Sequence, residues 1–215
     1  MSPPGLRAAV IGGHGPAVQI AEGLVAGGAA VVVLSPGSRR ELTKQLIAIG
    51  PRLVVWAPDP GEAAVKAELL DYDEAGWDAV ASQPIRDAIA CVQAAGDAFE
   101  DGGAIVAVLP TLSSRGSAGL TGWSTAAEGV RSLVKVAARE YGARGITVNA
   151  VALPANVLAT QGESLDRPGL PAPSLPVPAD ASGDASAIIA ALAAPPWTSV
   201  TGATIAVDGG VWMPA

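Results

Sequence analysis

Short apolar runs of small and β-branched residues recur along this chain, and the segments between them carry helical spacing. The runs are "LRAAVIGG" (6–13), "AAVVVLSP" (29–36), "RLVVWAP" (52–58), "GAIVAVLP" (103–110), "GITVNAVALP" (145–154) and "GATIAVDGG" (202–210). Between them lie "PAVQIAEGLVAGG" (16–28), "SRRELTKQLIAIG" (38–50), a longer stretch over about 76–99, "TGWSTAAEGVRSLVKVAAREYG" (121–142) and a short segment at 185–194. Strands that are apolar throughout, rather than alternating, belong in a sheet covered on both faces, and strands separated by helices belong in parallel units with right-handed crossovers. The pattern therefore predicts an α/β, Rossmann-like three-layer sandwich with a mostly parallel sheet of about six strands. A chain of 215 residues without internal repeat or linker predicts one domain over 1–215. Half of its residues are hydrophobic, enough for a substantial core.

Charge and metal-ligand content narrow the function classes. The net charge is −7, with no basic patch to release counterions, so nucleic acid and anionic membrane surfaces are not expected partners. A single cysteine, Cys91, excludes an intrachain disulfide, and with one histidine, His14, a structural zinc site is not expected. The opening "MSPPGLRAAVIGG" does not read as a signal peptide and no apolar run reaches the roughly 18 residues of a membrane span. A cytoplasmic location is the expectation.

The order of elements resembles the short-chain dehydrogenase/reductase family over nearly the whole chain. "ARGITVNAVALPANVLAT" (143–160) is similar to that family's strand leading into the substrate loop, and "VTGATIAVDGGVWM" (200–213) to its C-terminal strand and turn. The resemblance implies a catalytic tyrosine, a lysine four residues later on the same helix face, a carbonyl-orienting serine and an asparagine in a proton relay. On this chain those positions hold Trp123, Ala127, Pro110 and Pro84. An indole N–H does not titrate and an alanine carries no charge, so the expected proton donor and its partner are both replaced. A shifted register would bring Ser113, Ser114 or Ser117 toward the serine position. Neither tyrosine, Tyr72 or Tyr141, has a lysine four residues later, and Tyr141 reads as a core or interface aromatic.

The resemblance also places a dinucleotide-binding turn at "IGGHGPAVQIA". Gly12 and Gly15 match two of the expected glycines, Gly13 lies between them, Ala17 replaces the third, and Pro16 removes a donor. This reads either as a weakened nucleotide site or as a tight strand-to-helix turn, with His14 a contact or merely solvated. Ser35, Arg39 and Arg40 after the second strand would suit a 2′-phosphate, or Ser38 simply caps a helix. Relative to the family one strand-helix unit is missing, and with it part of the adenine wall. The expected cofactor is none, or NADP held weakly. The proline-rich 167–184 reads as an exposed loop or a fixed arm.

What the resemblance leaves intact is the scaffold for assembly through the helices at about 76–99 and 123–141. On the second, Trp123, Ala127, Val130, Val134, Ala137 and Tyr141 form an apolar stripe, Glu128, Arg131, Lys135 and Arg139 a polar one, and Thr125, Gly129 and Ser132 a small-residue strip between them. The leading expectation is an inactive homologue acting as a structural or regulatory subunit, paired with itself or with an active relative. The alternatives are an NADP(H)-dependent carbonyl or 3-oxoacyl reductase whose site other groups complete, and a non-catalytic NADP sensor.

Overall fold

The computed structural model describes residues 4–100, 102–159, 172–176, 180–194 and 197–213. Six strands, β1 (Arg7–Ile11), β2 (Ala30–Leu34), β3 (Leu53–Trp56), β4 (Gly103–Pro110), β5 (Ile146–Leu153) and β6 (Thr204–Ala206), form one parallel sheet in the order β2-β1-β3-β4-β5-β6. The helices are α1 (Pro16–Ala26), α2 (Arg39–Ile49), α3 (Glu74–Trp77), α4 (Gln83–Ala98), α5 (Thr121–Tyr141), α6 (Ala155–Leu158) and α7 (Asp184–Leu192). The expected α/β sandwich is what the chain adopts. Alternate residues of each strand feed two cores. Ala8, Val10, Val55 and Val106 join α1 and α7 on one face, and Ala9, Ile11, Val54 and Ile105 join α2, α4 and α5 on the other.

The central strands are buried throughout, β3, β5 and nearly all of β4 alike, which explains their unbroken apolar sequence. Asn149 in the middle of β5 is fully buried, yet its amide is satisfied: Nδ2 donates to the Val200 carbonyl at 2.8 Å and Oδ1 accepts from the Ala203 N–H at 3.1 Å. That pairing pins β6 to its neighbour. β2, by contrast, is an edge with Val32 and Val33 exposed. Ala30 donates its N–H to Leu6 and the Leu34 carbonyl accepts from Gly12, so residues 30, 32 and 34 face β1. The backbone groups of Val31 and Val33 therefore point out of the sheet.

The helix expected at about 76–99 is three segments. Asp73 caps α3 by accepting from the Gly76 N–H at 2.7 Å, so the helix starts at Glu74. Residues 78–82 then widen into a π-turn before α4. Pro84 explains the interruption: it has no N–H to donate back and its ring crowds the carbonyl of Val80. The last strand is shorter than expected, three residues rather than nine. Residues 167–171 and 177–179 of the proline-rich 167–184 lie outside the described residues, and between them Ser174 and Leu175 donate backbone N–H groups to the Gly209 carbonyl at 2.7 and 2.9 Å. No helix of the described residues is long and apolar enough to cross a membrane, and they contain no cluster of metal-ligating side chains.

Candidate functional site

Pro84 near the start of α4, Pro110 at the end of β4, and Trp123 and Ala127 in the first two turns of α5 all line one cavity of about 220 Å³. The structure brings these four residues to one place. The cavity sits at the C-terminal ends of β3 and β4, where open parallel sheets bind ligands. Gly122 lets α5 begin close against it, since a side chain there would strike Val80 of the π-turn. Trp123 is nearly buried, with 8% of its surface exposed, and forms part of the cavity wall.

Two of the three candidate serines are committed to a local network. Ser113 donates to the Pro110 carbonyl at 2.9 Å, and Ser113 and Ser114 accept from Arg131 at 3.2 and 3.0 Å. This network ties the loop to the polar stripe of α5, where Glu128 holds the same arginine at 3.0 Å. Tyr141 packs at the far end of α5 against Gly96, where a Cβ would come within 2.8 Å of the tyrosine oxygen. Burial raises the pKa of its hydroxyl, the wrong direction for a proton-transfer group at neutral pH.

Sequence reading missed three further cavity residues, Trp56, Asp59 and Asp87. Trp56 ends β3 and Asp59 follows in the turn "PDPG", so a strand end running into a turn was the available signal. Asp59 Oδ1 accepts from the Gly61 N–H at 2.9 Å, and Asp87 Oδ1 accepts from Gln83 Nε2 at 2.7 Å.

The turn after β1 brings the expected nucleotide-site residues partly together. A side chain at Gly12 would strike the Ala57 carbonyl oxygen and lie 2.8 Å from Ala17 Cβ, while a Cβ at Gly13 would lie 3.5 Å from the Ser35 hydroxyl. The loop spends its own donors, however. Gly12 and Gly13 both donate to the Leu34 carbonyl, at 2.9 and 3.1 Å, His14 to Gly12, Ala17 to His14, and Val18 to Gly15. Pro16 has none to offer. Among the described residues only the Gly15 N–H of this turn lacks an acceptor, whereas a pyrophosphate needs several aimed at it. Arg39 is engaged elsewhere: its guanidinium makes two 2.8 Å bonds to Asp97 on α4, which hold the Asp97 carboxyl below its ordinary pKa. Ser38 caps α2, accepting from Glu41 N–H at 3.3 Å, so its capping role is the one adopted. The residues present do not fit a dinucleotide held by this turn and an Arg39 clamp.

A Rossmann-type sheet with a cavity at the C-terminal ends of its strands is an architecture shared by many nucleotide-binding proteins. The family profile described as enoyl-(acyl carrier protein) reductase matches residues 56–212, and the chain belongs to the short-chain dehydrogenase/reductase family. A 3-oxoacyl-[acyl-carrier-protein] reductase, FabG, of Vibrio harveyi is 36% identical over 114 residues, 52% of this chain and 46% of the relative. The short-chain dehydrogenase/reductase ABA4 of Pyricularia oryzae is 32% identical over 156 residues, 70% of this chain and 57% of the relative. The matched segment thus spans about half the length of these relatives. Among solved structures, a short-chain type dehydrogenase/reductase from Mycobacterium ulcerans superposes with a TM-score of 0.80 at 19% identity, over 98% of this chain and 91% of that one. A blue fluorescent protein from a metagenomic library, in complex with NADPH, superposes at 0.75 with 23% identity, over 98% and 99%. At these identities the superpositions speak for the fold.

Proposed function

We propose that this chain has given up hydride transfer and serves as a non-reducing subunit, assembled with itself or with an active relative. The observation that carries the reading is the convergence of Pro84, Pro110, Trp123 and Ala127 on one cavity, because none of the four can donate, accept or tune a proton. The spent donors of the Gly12–Gly15 turn support weak or absent dinucleotide binding. Apolar surface on α4 and α5 supports assembly through these helices: Val136 is 50% exposed and Ile89 36%.

The relatives' name supplies the substrate class for the test. The purified chain, assayed with NADPH and 3-oxoacyl thioesters, is expected to show no turnover, and native mass spectrometry of the endogenous complex to show more than one subunit. Loss of general acid catalysis alone costs about 10²–10⁴-fold. The double change Trp123→Tyr and Ala127→Lys is not expected to restore activity, since Pro84 and Pro110 remain. One observation favours the competing reading of an active NADP(H)-dependent reductase: Asp59 and Asp87 bring carboxylates to the cavity. Turnover that disappears in Asp87→Asn would establish that reading and overturn the subunit proposal.

A further inference from the structure

We infer that the cavity is a binding site for a small organic cation, an ammonium group carrying short alkyl substituents. Two tryptophans line it, Trp56 from β3 and Trp123 from α5, together with the carboxylates of Asp59 and Asp87. Each carboxylate has one oxygen committed, Asp59 Oδ1 to the Gly61 N–H and Asp87 Oδ1 to Gln83 Nε2. Among the described residues the second oxygen of each accepts no hydrogen bond. No lysine, arginine or histidine of those residues lines the cavity. The nearest basic side chain in sequence, Arg86, gives its hydrogen bonds to Asp78 at 2.6 Å and to Gln83 at 2.9 and 3.2 Å, and acts on Asp87 through charge alone.

The cavity is therefore lined by two carboxylates, of which Asp87 shares the charge of Arg86 with Asp78, and by two tryptophans, the side chain that attracts cations most strongly. Phosphates and carboxylates are repelled from such a site. Its volume, about 220 Å³, lies below the roughly 300–1,000 Å³ of pockets for drug-sized ligands, which suits a choline-sized ion. The prolines at positions 36, 58, 60, 84 and 110 line the walls and hold the site open with rigid, uncharged backbone. This inference builds on the non-reducing reading, giving the altered cavity a ligand in place of a substrate.

Isothermal titration of the full chain with choline and with its uncharged isostere 3,3-dimethylbutan-1-ol tests it, with tryptophan fluorescence as a second readout. Saturable choline binding is expected, at least tenfold tighter than the isostere and weakened tenfold or more by Asp87→Asn or Asp59→Asn. Asparagine retains the Oδ1 acceptor for Gln83 and for Gly61, so both variants are expected to keep the native melting temperature. If one does not, sodium chloride titration of the unaltered chain decides instead, choline affinity falling with salt and isostere affinity holding steady. Equal binding of choline and isostere, or no binding of either, overturns the inference. NADPH turnover in the same preparation would overturn the non-reducing reading and leave the cation site standing; absence of both turnover and choline binding would remove the cation site alone.

Discussion

A methyl group at position 12 would strike the Ala57 carbonyl oxygen and crowd Ala17 Cβ, and neither the backbone nor so short a side chain can swing aside. Gly12→Ala is therefore expected to destabilise the fold by about 1–3 kcal/mol; a urea melt with an unchanged midpoint would show that the β1–α1 turn yields more than its packing implies. Cys91 makes the opposite kind of statement, through chemistry. It is fully buried among the α4 core residues, and burial raises its thiol pKa from 9.0 to about 12. Below pH 9.0 the thiol is neutral whether the chain is folded or not, so stability does not depend on it. Between pH 9.0 and about 12 the unfolded chain ionises first, and stability falls as pH rises. Maleimide labelling of Cys91 at pH 8 is accordingly expected to follow global unfolding, and rapid labelling of the native chain would contradict its burial. At this scale the convergence of Pro84, Pro110, Trp123 and Ala127 on one cavity was legible because each is fixed by spacing within one strand or one helix. Asp59 and Asp87 were not, because 28 positions of chain separate them and only the packing of β3 against α4 brings them to one wall.

The helices carry the case for assembly, and they also revise it. Gly129 in the small-residue strip of α5 does not wait for another subunit: a Cβ there would lie 2.9 Å from Ile85 Cδ1 of the same chain. Gly129→Arg would strain the α4–α5 packing and would not isolate an intersubunit contact. Val136, half-exposed on the outer face of α5, is the cleaner position. Val136→Asp is expected to dissociate the oligomer, seen by light scattering, with little change in melting temperature; a variant that stays assembled would place the interface elsewhere. Strand assignments from the apolar runs came within a few residues for β1 to β5, since buried parallel strands advertise themselves by unbroken branched residues. β6 was overcalled because "VDGG" after Ala206 keeps an apolar beginning while Asp208 turns the chain, accepting from the Gly210 and Trp212 N–H groups at 2.9 and 3.1 Å. The π-turn was missed although its cause, a proline inside a helical pattern, was in plain view at Pro84.

Across the molecule, the sheet combines a well-covered centre with an exposed edge at β2. The parallel order has a consequence for time as well as for shape. No two adjacent strands are joined by a hairpin, so every pairing must find a partner far along the chain: Ala8 meets Leu53, Gly103 meets Ile146, and Ala150 meets Thr204. Each such encounter closes a long loop before any reward arrives, which places folding in the slow regime on the order of milliseconds to seconds or longer. Stopped-flow refolding from urea is expected to fall there, and microsecond refolding would mean that local helix formation, not strand pairing, sets the pace. While the centre assembles, the uncharged row Ala30–Leu34 waits with its Val31 and Val33 amides unclaimed. Refolding yield is then a race between closing the sheet and meeting another unfinished chain, and it should fall as protein concentration rises.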